Sequence, residues 1–445
     1  DRRTEITNGN IFIRDGLIDY IGQSTDGLDV EKCRILDLEG YAVFPGLINT
    51  HHHLYQTLTR AVPGSQNSGL FDWLKTLYPI WGKMDSEAIY TSSLIGMAEL
   101  LLSGCTSTSD HLYMYPNDTT LDDSIRAAEK IGIRFHPTRG SMSLGESEGG
   151  LPPDYLVEDE DDILKDSQRL IETYHNSEIG SMLQIGLAPC SPFSVSSRLM
   201  ETTAEMARSY GVRLHTHLAE TKDEEAYCIE KFGKRPLEYV MDLGWNTNDV
   251  WLAHMVHCCN EDIMSLAASG IAIAHCPTSN MRLASGISPI RKMLKQGVDV
   301  GLGVDGSASN DGGHILGESR QAMLLARLEA SLRQNEESAI EKNEYFSARK
   351  AIELGTRGGA AALGRDDIGK LEIGKCADFF AIDMSQLAYA GALHDPAAAI
   401  IMCASHNVDL VVVNGNIVVQ DGRLVTLELR PIIDRHNEIS LAMVR

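Results

Sequence analysis

Apolar segments alternate with amphipathic ones along most of the chain, which predicts alternating strands and helices. Helical patterns separate most of the apolar segments. One runs from Asp85, an N-cap residue, to Ser103, and another runs from Ser196 to Tyr210 and is closed by Gly211. The apolar, strand-like segments number eight and end near His53, Asp110, Arg139, Pro189, Glu220, His254, Pro277 and Asp305. Eight β units separated by helices predict an α/β fold, a closed parallel (β/α)8 barrel of the TIM type.

The two ends of the chain show a different pattern, in which short β-rich runs are joined by hairpin signals. The C-terminal runs at 410–413 and 417–419 flank Asn414-Gly415, and runs of similar character occur at 11–13 and 17–21. We therefore expect a small β domain formed by residues 1–44 together with 370–445, and a barrel formed by residues 45–369.

A polar segment at 140–162 interrupts the periodicity after the third barrel strand. It contains the sequence Gly-Gly-Leu-Pro-Pro and, further on, the acidic run Glu-Asp-Glu-Asp-Asp. We interpret it as a long loop over the mouth of the barrel, either a lid or a solvated acidic insertion.

Composition and charge exclude some classes of partner. The net charge of -23 over 445 residues repels nucleic-acid backbones and anionic lipid surfaces. No apolar run approaches the ~18 residues that a membrane helix needs. Nine scattered cysteines include no Cys-x-x-Cys pair, which favours reduced thiols in a cytoplasmic enzyme. We expect a small-molecule substrate, no nucleic-acid or membrane partner, and a homo-oligomer.

Metal-type side chains occur at the ends of separate apolar segments. His51 and His53 should face one way and His52 the other, because side chains alternate along a strand. Each such residue alone is ambiguous, since a single histidine is more often structural and Asp-Gly usually marks a turn. Together, two imidazoles, a third from another strand and a carboxylate favour a site for one divalent metal. The further candidates for this site are His215 or His217, which share a strand face, with Glu220, His254 and Asp305.

These motifs resemble the amidohydrolase superfamily, in its branch of cytosine-, guanine- and adenosylhomocysteine-deaminase-like enzymes and triazine hydrolases. The resemblance covers nearly the whole chain and is carried by residues 45–56, 215–220, 253–254, 275–280, 303–310 and 374–378. It implies that one metal is bound by His51, His53, His217 and Asp305. It also implies that Glu220 shuttles protons and that His254 orients the attacking water or polarises the substrate, with Asp305 taking part in catalysis as well.

The resemblance further implies a mononuclear centre, because the fourth-strand segment at 183–190 lacks the lysine that binuclear members carboxylate. Zinc is the expected ion, with iron or manganese as alternatives, and no organic cofactor is expected. Our candidate substrate contacts are Gln56 and Arg139 for polar edges, and Trp73 and Trp81 for stacking.

The expected activity is hydrolytic deamination of a free oxidised purine, with 8-oxoguanine converted to urate and ammonia. Alternatives within the same chemistry are guanine, a pterin, S-adenosylhomocysteine or a triazine as substrate. An alternative of another class is a catalytically silent barrel that serves as a scaffold. Loss of a ligand or of Glu220 would be its signature, and all these residues are present.

Overall fold

A computed structural model describes residues 3–28, 30–332, 345–403 and 406–445. In this part of the chain the strands are β1 (Asn10–Arg14), β2 (Leu17–Gly22), β3 (Tyr41–Pro45), β4 (Leu47–Asn49), β5 (Cys105–Leu112), β6 (Arg134–Ser141), β7 (Gly186–Pro189), β8 (Arg213–Leu218), β9 (Val250–His254), β10 (Ala272–His275), β11 (Val300–Leu302), β12 (Phe379–Asp383), β13 (Leu410–Val413), β14 (Asn416–Gln420) and β15 (Arg423–Leu424).

The α-helices of the described residues are α1 (Leu70–Trp81), α2 (Ser86–Leu102), α3 (Leu121–Ile131), α4 (Glu160–Tyr174), α5 (Ser197–Tyr210), α6 (Lys222–Phe232), α7 (Pro236–Asp242), α8 (Asn260–Ser269), α9 (Pro277–Arg282), α10 (Ile290–Lys295), α11 (Ile315–Leu332), α12 (Ala348–Glu353), α13 (Gly359–Ala362), α14 (Pro396–Met402) and α15 (Leu429–Val444). A π-helical turn, Leu354–Gly358, joins α12 to α13.

Strands β4 to β11 form a closed barrel in chain order, with every neighbouring pair parallel. The barrel closes where Leu302 of β11 pairs with Asn49 of β4. The predicted (β/α)8 barrel is therefore confirmed. Six of the eight strands end two to four residues from the predicted positions, while β7 and β9 end at Pro189 and His254 as expected.

Local capping explains where both predicted helices begin and where α5 ends. The Asp85 carboxylate accepts a hydrogen bond from the Ala88 N–H at the start of α2, and the Ser196 hydroxyl accepts one from the Leu199 N–H at the start of α5. Gly211 ends α5 with φ 68°, a left-handed conformation that glycine adopts without steric cost. Both helix predictions are thus confirmed.

Both ends of the chain contribute to antiparallel sheets outside the barrel. Strand β3 joins β12 to β15 in a five-stranded sheet of order β15-β14-β13-β12-β3, while β1 and β2 form a separate hairpin. The expected β region from both termini is therefore present, whereas the domain limits at 44/45 and 369/370 remain a proposal. Among the described residues, no helix has both the length and the apolar composition needed to cross a bilayer.

The last helix, α15, leaves the terminal sheet and packs on α2 and on a 3-10 turn, Leu54–Thr59, that follows β4. The His436 ring nitrogen Nε2 lies 3.0 Å from the Thr57 hydroxyl, and the Ser440 hydroxyl donates to the Leu58 carbonyl at 2.6 Å. The C-terminal helix therefore fixes the turn that directly follows His53.

The segment after β6 is a long loop that contains two short 3-10 turns and leads into α4. Two residues of its acidic run have protein partners. Glu158 pairs with Arg139, and Asp159 caps α4 by accepting from the N–H of Asp161 at 2.9 Å. The Leu151 N–H also donates to the Phe193 carbonyl at 3.1 Å, which ties the loop to the segment after β7.

Candidate active site

Metal-type side chains from four strands meet at the C-terminal end of the barrel. His51 and His53 follow β4, His217 lies near the end of β8, His254 ends β9, and Asp305 follows β11. Two of them have left-handed backbone, with φ 75° at His254 and φ 64° at Asp305. Such conformations cost a non-glycine residue about 1–3 kcal/mol, and they concentrate at functional sites where the surrounding structure holds them.

Three imidazoles and one carboxylate converge on a buried point. The Asp305 Oδ1 atom lies 3.3 Å from His51 Nε2 and 3.4 Å from His53 Nε2. His53 Nε2 lies 3.0 Å from His217 Nε2. The side chains of His51, His53 and Asp305 are each less than a tenth exposed, so the point that they surround is closed off from bulk solvent.

Backbone carbonyls fix the proton positions on two of the rings. His53 Nδ1 lies 2.7 Å from the His111 carbonyl oxygen, and His217 Nδ1 lies 2.7 Å from the Cys190 carbonyl oxygen. A carbonyl only accepts, so each Nδ1 carries the proton of a neutral ring and each Nε2 presents a lone pair. The 3.0 Å contact between the two Nε2 atoms is therefore not a hydrogen bond between neutral rings.

His215 holds His51 in the same tautomer. Its Nδ1 donates to the Trp251 carbonyl at 2.9 Å, so its Nε2 accepts from His51 Nδ1 at 2.8 Å. His51 Nε2 is consequently unprotonated, and it is buried without a hydrogen-bond partner. The sequence left His215 and His217 as alternatives for the metal site, and the geometry turns His217 toward the shared point while His215 holds the His51 ring from behind.

The fit of a metal ion follows from these lone pairs. Three unprotonated nitrogens and a carboxylate oxygen that face one another in a buried space repel each other unless a cation lies between them. Imidazole nitrogens and a carboxylate are also a donor set that divalent transition metals prefer. The protein therefore has a His/Asp metal-binding site at the barrel mouth.

His111 on β5 is a member of this cluster that the sequence did not single out. Its ring Nε2 donates to the Ala188 carbonyl at 2.9 Å, and its Nδ1 has no hydrogen-bond partner. The ring stacks on His217 with centroids 4.9 Å apart. A signal was available, since His111 adjoins Asp110, where the second strand was predicted to end.

Glu220 and His254 form a buried acid–base pair beside the metal position. His254 Nε2 lies 3.6 Å from Glu220 Oε2, while His254 Nδ1 donates to the Asn280 side-chain oxygen at 3.0 Å. Burial raises the pKa of the Glu220 carboxyl above its usual range. Burial opposes a charge on His254, but Glu220 and Asp305 outweigh it and raise the pKa of that imidazole. A buried carboxyl and a buried imidazole therefore face each other beside the metal position.

Neighbouring polar groups hold the two carboxylates in place. The Ser279 hydroxyl donates to Asp305 Oδ2 at 2.6 Å, and the Ser285 hydroxyl lies 3.4 Å from Glu220 Oε1. The Glu224 carboxylate accepts from the N–H groups of Ala219 and Glu220, both at 2.8 Å, and so fixes the turn after β8. The sequence reasoning missed these supports, although Ser279 and Asn280 lie inside a motif that it used.

Gln56 is the predicted substrate contact that the structure leaves available. Its side chain is buried, its Oε1 has no hydrogen-bond partner, and its Nε2 has only a 3.5 Å contact with the Tyr55 hydroxyl. The side chain lies against Gly306, where an added Cβ would fall 1.8 Å from Gln56 Oε1. Gly306 thus allows the amide to lie beside the loop that carries Asp305.

Arg139, the other polar side chain predicted to contact the substrate, is bonded to acidic side chains and a backbone carbonyl in this structure. The guanidinium donates to Asp166 from Nε at 3.0 Å and to both Glu158 oxygens at 3.0 and 2.7 Å. It also lies 4.1 Å from the centroid of the Tyr115 ring. Every guanidinium nitrogen has a protein acceptor, so Arg139 ties α4 and the loop before it to β6.

Trp73 and Trp81 are both core residues in this structure, so neither presents an open stacking face. They are 3% and 0% exposed, and their rings contact edge to face with centroids 5.4 Å apart. The Trp73 indole N–H donates to the Ala308 carbonyl at 3.1 Å, and that of Trp81 donates to the Thr59 hydroxyl at 3.0 Å. They pack α1 against the loops that follow β4 and β11.

Residues 42–418 match the amidohydrolase family. The chain is 44% identical to the 8-oxoguanine deaminase of Pseudomonas aeruginosa, over 98% of this chain and 97% of that protein. It is 36% identical to the hydroxydechloroatrazine ethylaminohydrolase of Pseudomonas sp. strain ADP, over 95% of this chain and 89% of that one.

A solved structure with the same architecture is that of an atrazine chlorohydrolase from Arthrobacter aurescens TC1 complexed with zinc. It aligns with a TM-score of 0.92 at 36% sequence identity, over 100% of this chain and 97% of that chain. The likeness spans the barrel and the terminal sheets alike.

Proposed function

The chain belongs to the amidohydrolase family, and we propose that it catalyses the hydrolytic deamination of 8-oxoguanine to urate and ammonia. The observation that carries the choice of substrate is the 44% identity, over 98% of this chain, to an 8-oxoguanine deaminase. In the reaction, a water oxygen bonds to the ring carbon that bears the exocyclic amine. The carbon–nitrogen bond then breaks and ammonia leaves.

The proposed ligands of one divalent metal are His51, His53, His217 and Asp305. Such a metal, when bound, would lower the pKa of a water molecule from 15.7 to roughly 7 and so supply a nucleophile at neutral pH. The chain's own contribution is orientation: His111, Cys190 and His215 fix the tautomers of the three imidazoles, so that their lone pairs face one point before any ligand arrives.

Proton transfer is proposed for Glu220, with His254 as its partner. A carboxyl whose pKa is raised by burial can take a proton from the attacking water, pass it to a ring nitrogen and later protonate the leaving amine. His254 is held by Asn280, and its Nε2 faces Glu220. In that position it can hydrogen-bond the oxygen that gains negative charge in the tetrahedral state.

Recognition of the purine edge is proposed for Gln56. A side-chain amide offers both donors and an acceptor, and this amide has a buried oxygen without a protein partner. Arg139, Trp73 and Trp81 are not included, because their polar atoms are already bonded to protein groups.

The test is ammonia release across a panel of 8-oxoguanine, guanine, isoxanthopterin, S-adenosylhomocysteine and hydroxylated or chlorinated triazines. 8-Oxoguanine differs from guanine by an oxygen at C8 and a proton on N7. A site with polar groups placed for those atoms loses their hydrogen bonds with guanine. We expect kcat/KM for 8-oxoguanine to exceed that for guanine by at least about 100-fold. Equal values for the two purines would overturn the assignment, and faster turnover of a pterin or triazine would replace the substrate.

We further propose that the metal is zinc, that the enzyme acts in purine metabolism in the cytoplasm, and that it is a homo-oligomer. Three imidazoles and a carboxylate suit zinc, and the similar atrazine chlorohydrolase was solved with zinc. Elemental analysis of the purified protein should find about one zinc per chain, and light scattering should give a mass that is a multiple of 48.8 kDa.

A further inference from the structure

The turn that carries Glu220 adopts an unfavourable backbone conformation. Ala219, directly after β8, has φ 51°, a left-handed conformation that costs a residue with a Cβ about 1–2 kcal/mol. The turn brings Glu220 Oε2 to 3.6 Å from His254 Nε2. The surrounding structure must stabilise this conformation for the Glu220 carboxylate to stay in that place.

The carboxylate of Glu224, in the first turn of α6, binds this turn from one side. Its Oε1 accepts from the Ala219 N–H and its Oε2 from the Glu220 N–H, each at 2.8 Å. The residue is 1% exposed, so the contact is closed off from bulk solvent. Both oxygens are used, and a buried N–H that lost its acceptor would cost about 1–3 kcal/mol.

This contact differs from ordinary helix capping. Thr221 is the N-cap of α6 and its hydroxyl accepts from the Glu224 N–H at 3.4 Å, so Glu224 occupies the third helical position. In a capping box, a glutamate at that position accepts from the N–H of the N-cap residue itself. Glu224 instead reaches past Thr221 to the two residues before it. Its carboxylate therefore supports the turn after β8 rather than the end of the helix.

The other side of the same turn is bound to the segment after β9. The Ala219 carbonyl accepts from the N–H groups of Val256 and His257, both at 2.9 Å. These two residues follow His254 closely along the chain. The segments that carry Glu220 and His254 are therefore bound to each other, while the N–H groups of the turn are left to the carboxylate from α6.

Burial is unfavourable for the charge of Glu224. It raises the pKa of the carboxyl to about 7, although the hydrogen bonds from Glu220 and Ala219 act to lower it. A glutamine has the same size and no charge to bury, but it offers one oxygen and an NH2 group. That NH2 group would face one of the two N–H donors. Two acceptors on one side chain therefore require the carboxylate, despite the cost of burying it.

We propose that Glu224 is a positioning residue for proton transfer, which acts through the place it gives Glu220 and not through the metal. This role rests on the proposed proton transfer by Glu220, but not on which heterocycle is the substrate. A proton-transfer group must lie within hydrogen-bonding reach of the reacting atoms. A turn that has lost one of its two bonds to Glu224 lets the Glu220 carboxylate move, and a misplacement of about 1 Å costs about 100-fold in rate.

The experiment is a double-mutant cycle on the metal-loaded enzyme with Glu224→Gln, Glu220→Gln and the double variant. The substrate is 8-oxoguanine or, if another compound of the panel is turned over faster, that compound. Asp223→Asn, an exposed acid one residue earlier in α6, is the control. Melting temperature and metal content establish that each variant is folded and loaded. Glu224→Asp, which keeps both oxygens on a shorter stem, replaces Glu224→Gln if that variant does not fold.

We expect Glu224→Gln to lower kcat by about 100-fold while KM and metal content stay near the wild-type values, and the control to behave like the wild type. The double variant should be no slower than Glu220→Gln alone, because no shuttle is left to position. A crystal structure of Glu224→Gln should show Glu220 Oε2 farther from His254 Nε2 than the 3.6 Å of the wild type.

An unchanged kcat in Glu224→Gln would overturn the proposal. Effects that multiply in the double variant would also overturn it, because Glu224 would then act independently of Glu220. A loss of bound metal in Glu224→Gln would place its effect at the metal ligands instead. If Glu220→Gln itself retains activity, the proposed shuttle is wrong and the crystal structure decides the positioning role, which an unmoved Glu220 would refute.

Discussion

At the scale of single residues, the positions of protons decide what the barrel mouth can do. Each imidazole of the metal-binding site is held from behind through Nδ1, by a backbone carbonyl for His53 and His217 and by His215 for His51. The Nε2 lone pairs are thereby aimed at one point. The acid–base pair Glu220 and His254 lies beside them.

We expect Glu220→Gln to bind metal and fold like the wild type but to lose about 10²–10⁴-fold in kcat, because an amide cannot carry a proton. Asp223→Asn, an exposed acid on the adjoining helix, is the matched control and should leave kcat unchanged. The measurements are steady-state kinetics and metal content. Retention of activity within tenfold in the glutamine variant would exclude Glu220 as the shuttle.

His215→Phe should weaken metal binding by about 10–100-fold, as the loss of a group that orients a ligand usually does. The phenyl ring retains the stacking on Trp251, whose centroid lies 4.5 Å away, but it cannot accept the proton of His51 Nδ1. Competition with a chromogenic chelator measures the affinity, with the exposed His394→Phe as control. Unchanged affinity would show that His51 does not depend on this support.

At the scale of elements, a buried ion pair joins the barrel to the terminal sheet. Arg134 at the start of β6 donates from Nε to Asp378 Oδ2 at 2.9 Å and from Nη2 to Asp378 Oδ1 at 3.1 Å, and both side chains are at most 2% exposed. Asp378 precedes β12 and also accepts from the Asn414 N–H at 2.6 Å. The Asp378 carboxylate therefore links the start of β12 to β6 and to the turn after β13.

Asp378→Asn should lower the free energy of unfolding by about 3–5 kcal/mol, because it leaves the Arg134 charge buried without its partner. Urea titration followed by circular dichroism gives the value. The comparison is Asp161→Asn, whose pair with Arg198 is exposed on both sides and should be worth about 0–1 kcal/mol. Similar losses of unfolding free energy in the two variants would show that burial of the Arg134–Asp378 pair does not increase its contribution to stability.

At the scale of the whole molecule, the metal-binding site joins strands that are far apart in the sequence. An ion held by residues after β4 and β11 and on β8 binds the folded chain alone, so it should stabilise the fold. At a free metal concentration of about 1,000 times Kd this stabilisation is about 4 kcal/mol.

Removal of the metal by chelation should therefore lower the melting temperature, by about 4 °C for a chain of this length. Calorimetry before and after dialysis measures it. Zinc should restore the original temperature, whereas magnesium, which prefers oxygen ligands, should not. An unchanged melting temperature in the metal-free protein would contradict a metal held by these four side chains.

The sequence by itself determined the type of fold, the limits of two helices and the candidates for a metal-binding site, because each follows from rules that involve residues close together in the chain. The alternation of apolar and amphipathic segments was enough to predict the (β/α)8 barrel, because strands and helices repeat their apolar positions with different periods. N-cap residues and Gly211 set helix limits within a residue, since capping involves only neighbours along the chain. Candidate residues for a metal-binding site could be named because parallel strands all end at the same side of a barrel.

Only the tertiary structure decided which side chains are free to act. Spacing could not separate His215 from His217, because both face the barrel interior, and the choice depends on carbonyls from other strands. Arg139, by sequence a plausible ligand contact, is occupied by acids from α4 and the loop before it. The placement of α15 on the turn after His53 was likewise hidden, because the contact joins residues about 380 positions apart. Whether a polar group is available depends on partners distant in sequence, and a local pattern does not contain them.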